Sequence, residues 1–243
     1  MQKEYRTKNQ NKFVKFRKIV LISTIAFVFP ICLGIYTLLG GRAYALMSML
    51  FVILAILPFL MIYEMKKPQA REWIPLAVMA ALAAVGRVAF APVPFFKPTS
   101  AIIIITASVF GPEAGFLTGT MAALASNLFF GQGPWTPWQM FSFGIIGFLA
   151  GIMFQKGILR KTKTDMCLFG FVATFVIYGG IMNPASVIMW QSNININMVL
   201  SSYVMGMPFD FIHAVSTVFF LFLAAEPMLE KLERIKIKYG LIE

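Results

Sequence analysis

The chain is predicted to be an all-α integral membrane protein, and three observations carry that prediction. Of its 243 residues 59% are apolar and only 13% are charged, and its mean hydropathy of +0.78 lies well above that of soluble domains. The apolar residues gather into eight runs, at about 19–39, 43–63, 73–91, 99–110, 114–130, 138–155, 166–190 and 204–226. The basic residues fall between those runs, with seven Lys and Arg in 1–18, three in 64–71, four in 155–165 and four in 228–243. Such short basic segments belong on the cytoplasmic side of a plasma membrane, which places both termini there. Only Arg42 and Lys97 then remain outside, with Arg87 inside an apolar run. The net charge of +11 is therefore a matter of topology, and nucleic acid is not an expected partner.

The first two runs form an N-terminal hairpin, about 19–63, behind a basic tail. The tail, the apolar run and Ala43-Tyr44-Ala45 imitate a secretory leader, but Ile19 to Leu39 is too long for one, so a retained helix is expected. The basic linker Tyr63 to Arg71, containing Pro68, separates residues 1–72 from a six-helix unit at 73–227 and a basic tail at 228–243. The run at 99–110 reaches only roughly 18 Å as a helix against a hydrocarbon core of about 30 Å, so it extends past Gly111, tilts or is partly re-entrant. Pro227 is expected to end the last span, with either a short amphipathic basic helix near the membrane or a solvated helix end beyond it. Gly115 with Gly119 and Gly147 with Gly151 have the spacing of internal close packing, and Ala77, Ala80, Ala81 and Ala84 form a small-residue stripe more open to a partner helix.

Polar residues inside a bilayer are costly, so the few present map candidate function. At 1.5 Å per residue Arg87 lies about 6 Å below the outer end of its helix and Asp210 about 9 Å below its own. Asn127 and Asn183 are at comparable depth. Asp210 and His213 share a helical face, and Arg87 is a candidate to neutralise the carboxylate, either as a structural ion pair or at a ligand site. Three outer loops are expected to close over this layer: Ala91 to Pro98, Gly131 to Pro137, and the amide-rich stretch from Gln191 to about Tyr203. The segment Gly131 to Gln139, with Trp135, Trp138, Pro134 and Pro137, reads as a fixed loop capping a membrane cavity. Aromatics and amides together suit a planar, polar small molecule. Taken singly, each of Trp135, Trp138 and Trp190 is better read as part of an aromatic belt, a reading that explains less once the buried polar layer is set beside it.

Other chemistries find little purchase. Cys32 and Cys167 have no CxxC spacing or histidine companions, so no metal or disulfide is expected. Glu113 and Glu226 read as solvated boundary residues, leaving no intramembrane carboxylate pair. There is no HExxH, GxSxG or GxxxxGK[ST] motif, so neither ATP hydrolysis nor a known hydrolytic apparatus is expected.

Arg87, Lys97-Pro98-Thr99, Phe110-Gly111-Pro112, Gly115-Phe116, Ser126-Asn127 and Gly131 to Gln139, followed by Gly144 and Gly147, resemble the substrate-binding S components of energy-coupling factor (ECF) vitamin transporters. The resemblance covers 73–227, roughly two thirds of the chain, and the N-terminal hairpin departs from it. It implies a six-helix binding protein, not an enzyme, without catalytic residues or a cofactor of its own. It also implies a transmembrane coupling subunit and two ATPase subunits as partners, met through Ala77, Ala80, Ala81 and Ala84. The ligand contacts it implies are Arg87, Lys97, Asn127, Trp135, Trp138, Gln139, Asn183, Tyr203, Asp210 and His213. The Gly-Pro-Trp-Thr-Pro-Trp-Gln block points toward cobalamin or a related corrinoid, with folate, a queuosine precursor or another vitamin as alternatives. Two readings from other classes stand beside it. One is an intramembrane enzyme acting on a lipid or isoprenoid with Asp210 and His213 as acid and base, and the other is a structural subunit without a ligand.

Overall fold

The computed structural model describes residues 70–240 apart from position 192, together with scattered helical positions between 50 and 61. The hairpin expected at 19–63 therefore lies outside the described residues, those few positions excepted. Six helical segments follow: α1 Ala70–Ala89, α2 Thr99–Phe110, α3 Pro112–Phe130, α4 Trp135–Gln155, α5 Lys163–Trp190 and α6 Ile196–Tyr239. No strand occurs among the described residues, so the all-α membrane architecture and the six-helix unit are as expected.

The short helix α2 is the centre of the bundle. All twelve of its residues are buried, and it packs against α1, α3, α4 and α6. It does not extend past Gly111, whose φ of 91° ends the helix and lets α3 start at once with Pro112 in its first turn. A helix enclosed by protein on every side has no need to match the bilayer in length. Its hydroxyls are turned back onto its own carbonyls, Thr106 to Ile102 at 2.7 Å and Ser108 to Ile105 at 2.7 Å.

Helices α3 and α4 meet backbone to backbone through the glycines. A Cβ on Gly115 would stand 2.6 Å from the Gly147 carbonyl oxygen, one on Gly119 2.4 Å from that of Phe143, and one on Gly151 2.3 Å from the Pro112 nitrogen. The paired glycines thus serve internal packing, as their spacing predicts. Helices α1, α4, α5 and α6 are long and apolar enough to cross a membrane. Leu128, Phe129, Val204 and Met205 are among the large apolar side chains left exposed, the surface a hydrocarbon environment requires.

Three boundaries differ from expectation. The loop after α3 spans only Gly131 to Pro134, because Pro137 falls in the first turn of α4, where a missing N–H costs nothing. The amide-rich loop is equally short, since Asn195 caps α6 by accepting from the Met198 N–H at 2.9 Å and the helix begins at Ile196. At the far end Pro227 does not stop α6, which runs for 44 residues to Tyr239. Leu229 and Leu232 are buried beyond it, and the Lys236 ammonium donates to the Val109 carbonyl at 2.9 Å, capping the last turn of α2. That packing outweighs the one hydrogen bond a proline removes.

The basic end is stitched by surface ion pairs, Arg160 with Asp165 at 3.1 Å, Lys161 with Glu233 at 2.7 Å and Lys163 with Glu226 at 3.0 Å. The Arg160 guanidinium is pushed up from its usual value by its hydrogen bond to Asp165. Glu226 is exposed, as expected, whereas Glu113 is buried against the expectation of a solvated site, because α3 starts inside the bundle.

Candidate functional site

At the end of the bundle opposite that basic cluster, residues from all six helices surround a cavity of about 570 Å³. Arg87 comes from the last turn of α1 and Lys97 from the loop after it. Gln139 and Phe143 are one turn apart near the start of α4, and Asp210 and His213 lie one turn apart on α6. Tyr178, Met182 and Asn183 come from α5, whose π-helical segment Ala173–Tyr178 resets the register just before them.

Arg87 is half-buried and held by neutral groups. Its Nη1 donates to Ser126 Oγ at 2.6 Å and to Asn127 Oδ1 at 2.8 Å, its Nη2 reaches Gln139 Oε1 at 3.4 Å, and its guanidinium carbon lies 4.9 Å from the centre of the Phe130 ring. Asn127 in turn donates to Gln139 Oε1 at 2.8 Å and Thr136 Oγ1 at 3.1 Å, so a single amide ties α1, α3 and α4 together. The Asp210 carboxylate accepts from Asn183 Nδ2 at 2.7 Å. This pair sits against two glycines: a Cβ on Gly179 would meet Asp210 Oδ2 at 2.5 Å, and one on Gly206 would meet Asn183 Oδ1 at 2.2 Å. Arg87 and Asp210 therefore line one cavity without forming the ion pair proposed from depth alone, since neutral partners on α3 and α4 hold the guanidinium.

His213 is buried with its Nε2 3.4 Å from Ser100 Oγ, and Tyr178 and Phe143 meet its ring edge-on at 4.8 and 6.1 Å. It does not bond to Asp210. The Lys97 ammonium donates to the carbonyls of Phe90 and, at 2.7 Å, Val93, which secures the loop to the end of α1. Burial lowers the Lys97 ammonium below its ordinary value, and the neighbouring charge of Arg87 adds to the effect. Thr99 lines the cavity with its Oγ1 buried and unbonded among the described residues.

Of the ten ligand contacts implied by resemblance, Arg87, Lys97, Gln139, Asn183, Asp210 and His213 line the cavity. Asn127 stands behind Arg87 as its support. The remaining three lie elsewhere. Trp135 packs beside Trp190 with ring centres 6.5 Å apart, Trp138 packs on the apolar cluster of Ile56 and Phe116, and the exposed Tyr203 donates to the Gly180 carbonyl at 2.9 Å. Of the three expected covering loops only 91–98 contributes lining residues, including Pro94 and Phe95. Phe95 adopts φ of 59° and stacks on Phe209 at 4.6 Å. Phe130, Phe143, Tyr178 and Met182 were not anticipated. The alanine stripe divides, with Ala80 and Ala84 buried inside the bundle and Ala77 and Ala81 exposed. Among the described residues no group of three or more His, Cys, Asp or Glu side chains is placed to hold a metal.

Residues 69–225 match the sequence profile of a family described as "ECF-type riboflavin transporter, S component". The chain is also 30% identical over 124 residues to a UPF0397 protein of Vibrio atlanticus (strain LGP32), covering 48% of this chain and 68% of that one. UPF0397 proteins of Aliivibrio salmonicida (strain LFI1238) and Aliivibrio fischeri (strain MJ11) are 31% and 30% identical over 105 residues, covering 41% of this chain and 55% of theirs. It thus spans about two thirds of the first relative and just over half of the other two. No solved structure matches. With the family profile extending over most of its length and reaching into all six described helices, the chain belongs to this family of ECF-type transporter S components.

Proposed function

We propose that the chain captures riboflavin, or a flavin-like vitamin of that size, in the cavity between Arg87 and Asp210. One observation carries this reading: aromatic rings, amides and both signs of charge converge on a single cavity of about 570 Å³, within the range that encloses a drug-sized ligand. The family description supports a flavin. Cobalamin finds no such support. The family is one of transporter subunits, so binding rather than turnover is the role of the site.

A binder alone cannot move its ligand uphill. Release requires a partner whose conformational cycle lowers ligand affinity, which is the part of an ECF coupling subunit and its ATPases. Ala77 and Ala81, small and outward-facing on α1, are the candidate contact with that subunit. With the basic end cytoplasmic, the cavity opens toward the outside.

Riboflavin fluorescence reports the test directly. Titration into the purified chain in detergent is expected to give saturable quenching, and flavin is expected in the mass spectrum of copurifying small molecules. Absence of both overturns the reading.

A further inference from the structure

Resting on that reading, we infer that the cavity binds its ligand in one orientation, with the ring system toward Arg87 and a hydroxyl-bearing chain toward Asp210, and that Asp210 thereby rejects phosphorylated forms of the vitamin. The two charged positions differ in their surroundings. Beside Arg87 stand Gln139 and Phe130, and Phe143 and Tyr178, with ring centres 4.7 Å apart, line the same cavity while meeting the His213 ring edge-on. That is a platform for a flat heterocycle, next to a guanidinium whose three described side-chain bonds leave donors of its five N–H groups to spare. A ring edge carrying carbonyl acceptors satisfies them. Around Asp210 stand Asn183, Gly179 and Gly206, small or polar groups, with Phe209 at the rim. The carboxylate has one described donor, Asn183, and no described cation partner, so it retains acceptor capacity for hydroxyl groups.

The same carboxylate opposes an anion. A phosphate on the hydroxyl-bearing chain would lie beside Asp210 with roughly two negative charges. Two other cationic groups line the cavity, but each is already engaged. Lys97 is bonded to the Phe90 and Val93 carbonyls, and Arg87 is held in its amide and hydroxyl cage at the ring end. Neither is free to swing to the Asp210 end without breaking the bonds that fix it.

The experiment compares riboflavin and flavin mononucleotide on the full chain, on Asp210→Asn and on Arg87→Gln. The wild type is expected to bind the mononucleotide at least about 100-fold more weakly than riboflavin, as like charges in contact require. Asp210→Asn is expected to close that gap by about tenfold or more, weakening riboflavin itself because its hydroxyls lose a charged acceptor, while improving the mononucleotide relative to it. Arg87→Gln is expected to weaken both ligands alike, and to weaken the bare ring system lumichrome by the same factor. A gap unchanged in Asp210→Asn, or equal wild-type affinity for both flavins, overturns the orientation while leaving riboflavin capture intact. Failure of the wild type to bind any flavin overturns the functional reading and the orientation together.

Discussion

Arg87 shows how one side chain serves structure and recognition at once. Its bonds to the buried Ser126 and Asn127 and the half-buried Gln139 satisfy groups on two other helices. Removing the donor leaves the buried Asn127 Oδ1 without its described partner, at about 1–3 kcal/mol, so Arg87→Gln is expected to lower the melting temperature as well as weaken flavin binding by at least about tenfold. Trp138 supplies the contrast. Its Nε1 is buried with no partner among the described residues, and it lies outside the cavity. Trp138→Phe is therefore expected to leave flavin affinity within about twofold and stability equal or higher, by titration and thermal melting. The buried polar residues were legible in the sequence because bilayers tax them heavily. The aromatic lining was not, since a ring in an apolar run is equally at home in lipid. A signal existed for two of them, because Phe143 follows Gln139 by four residues and Phe130 follows Asn127 by three, one helical turn in each case. Tyr178 precedes Asn183 by five, a spacing that α-helical periodicity does not place on one face, and it ends a π-helical segment that the apolar run does not announce.

At the scale of elements, the α3–α4 contact and the extension of α6 make separate predictions. Gly147→Ala would place a Cβ 2.2 Å from the Gly115 carbonyl oxygen, backbone against backbone with nothing flexible to yield. It is expected to abolish a monodisperse peak on size-exclusion chromatography. Gly180→Ala, with open space around the added atom, is expected to behave as wild type. Deleting 228–243 removes the buried Leu229 and Leu232 and the Lys236 bond to Val109. Its melting temperature is expected to fall by several degrees, roughly the effect of a few kcal/mol in a chain of this size. The helical spans were readable from apolar runs, but their ends were not. Pro137 and Pro227 were read as breakers, yet one sits where its absent N–H is harmless and the other is carried by tertiary packing.

For the whole molecule, the burial pattern divides the alanine stripe of α1 into an inward and an outward pair. Ala80 and Ala84 face the bundle, while Ala77 and Ala81 face outward beside Ile74 and Val78. Ala77→Leu with Ala81→Leu is thus expected to abolish copurification of the coexpressed coupling subunit without altering flavin titration. Loss of flavin binding in that variant would instead place those alanines in the bundle's own packing. Helix α6 joins the two ends of the molecule. Asp210 at the cavity and Lys236 at the basic end ride on one helix 26 residues apart, an arm of about 39 Å. On an arm of that length a tilt of about 10° moves one end by roughly 7 Å relative to the other, more than twice the length of a hydrogen bond. A push at the charged end, carried along this one helix, would therefore move Asp210 far enough to break its bond to Asn183, and leverage of this kind would release what the cavity holds.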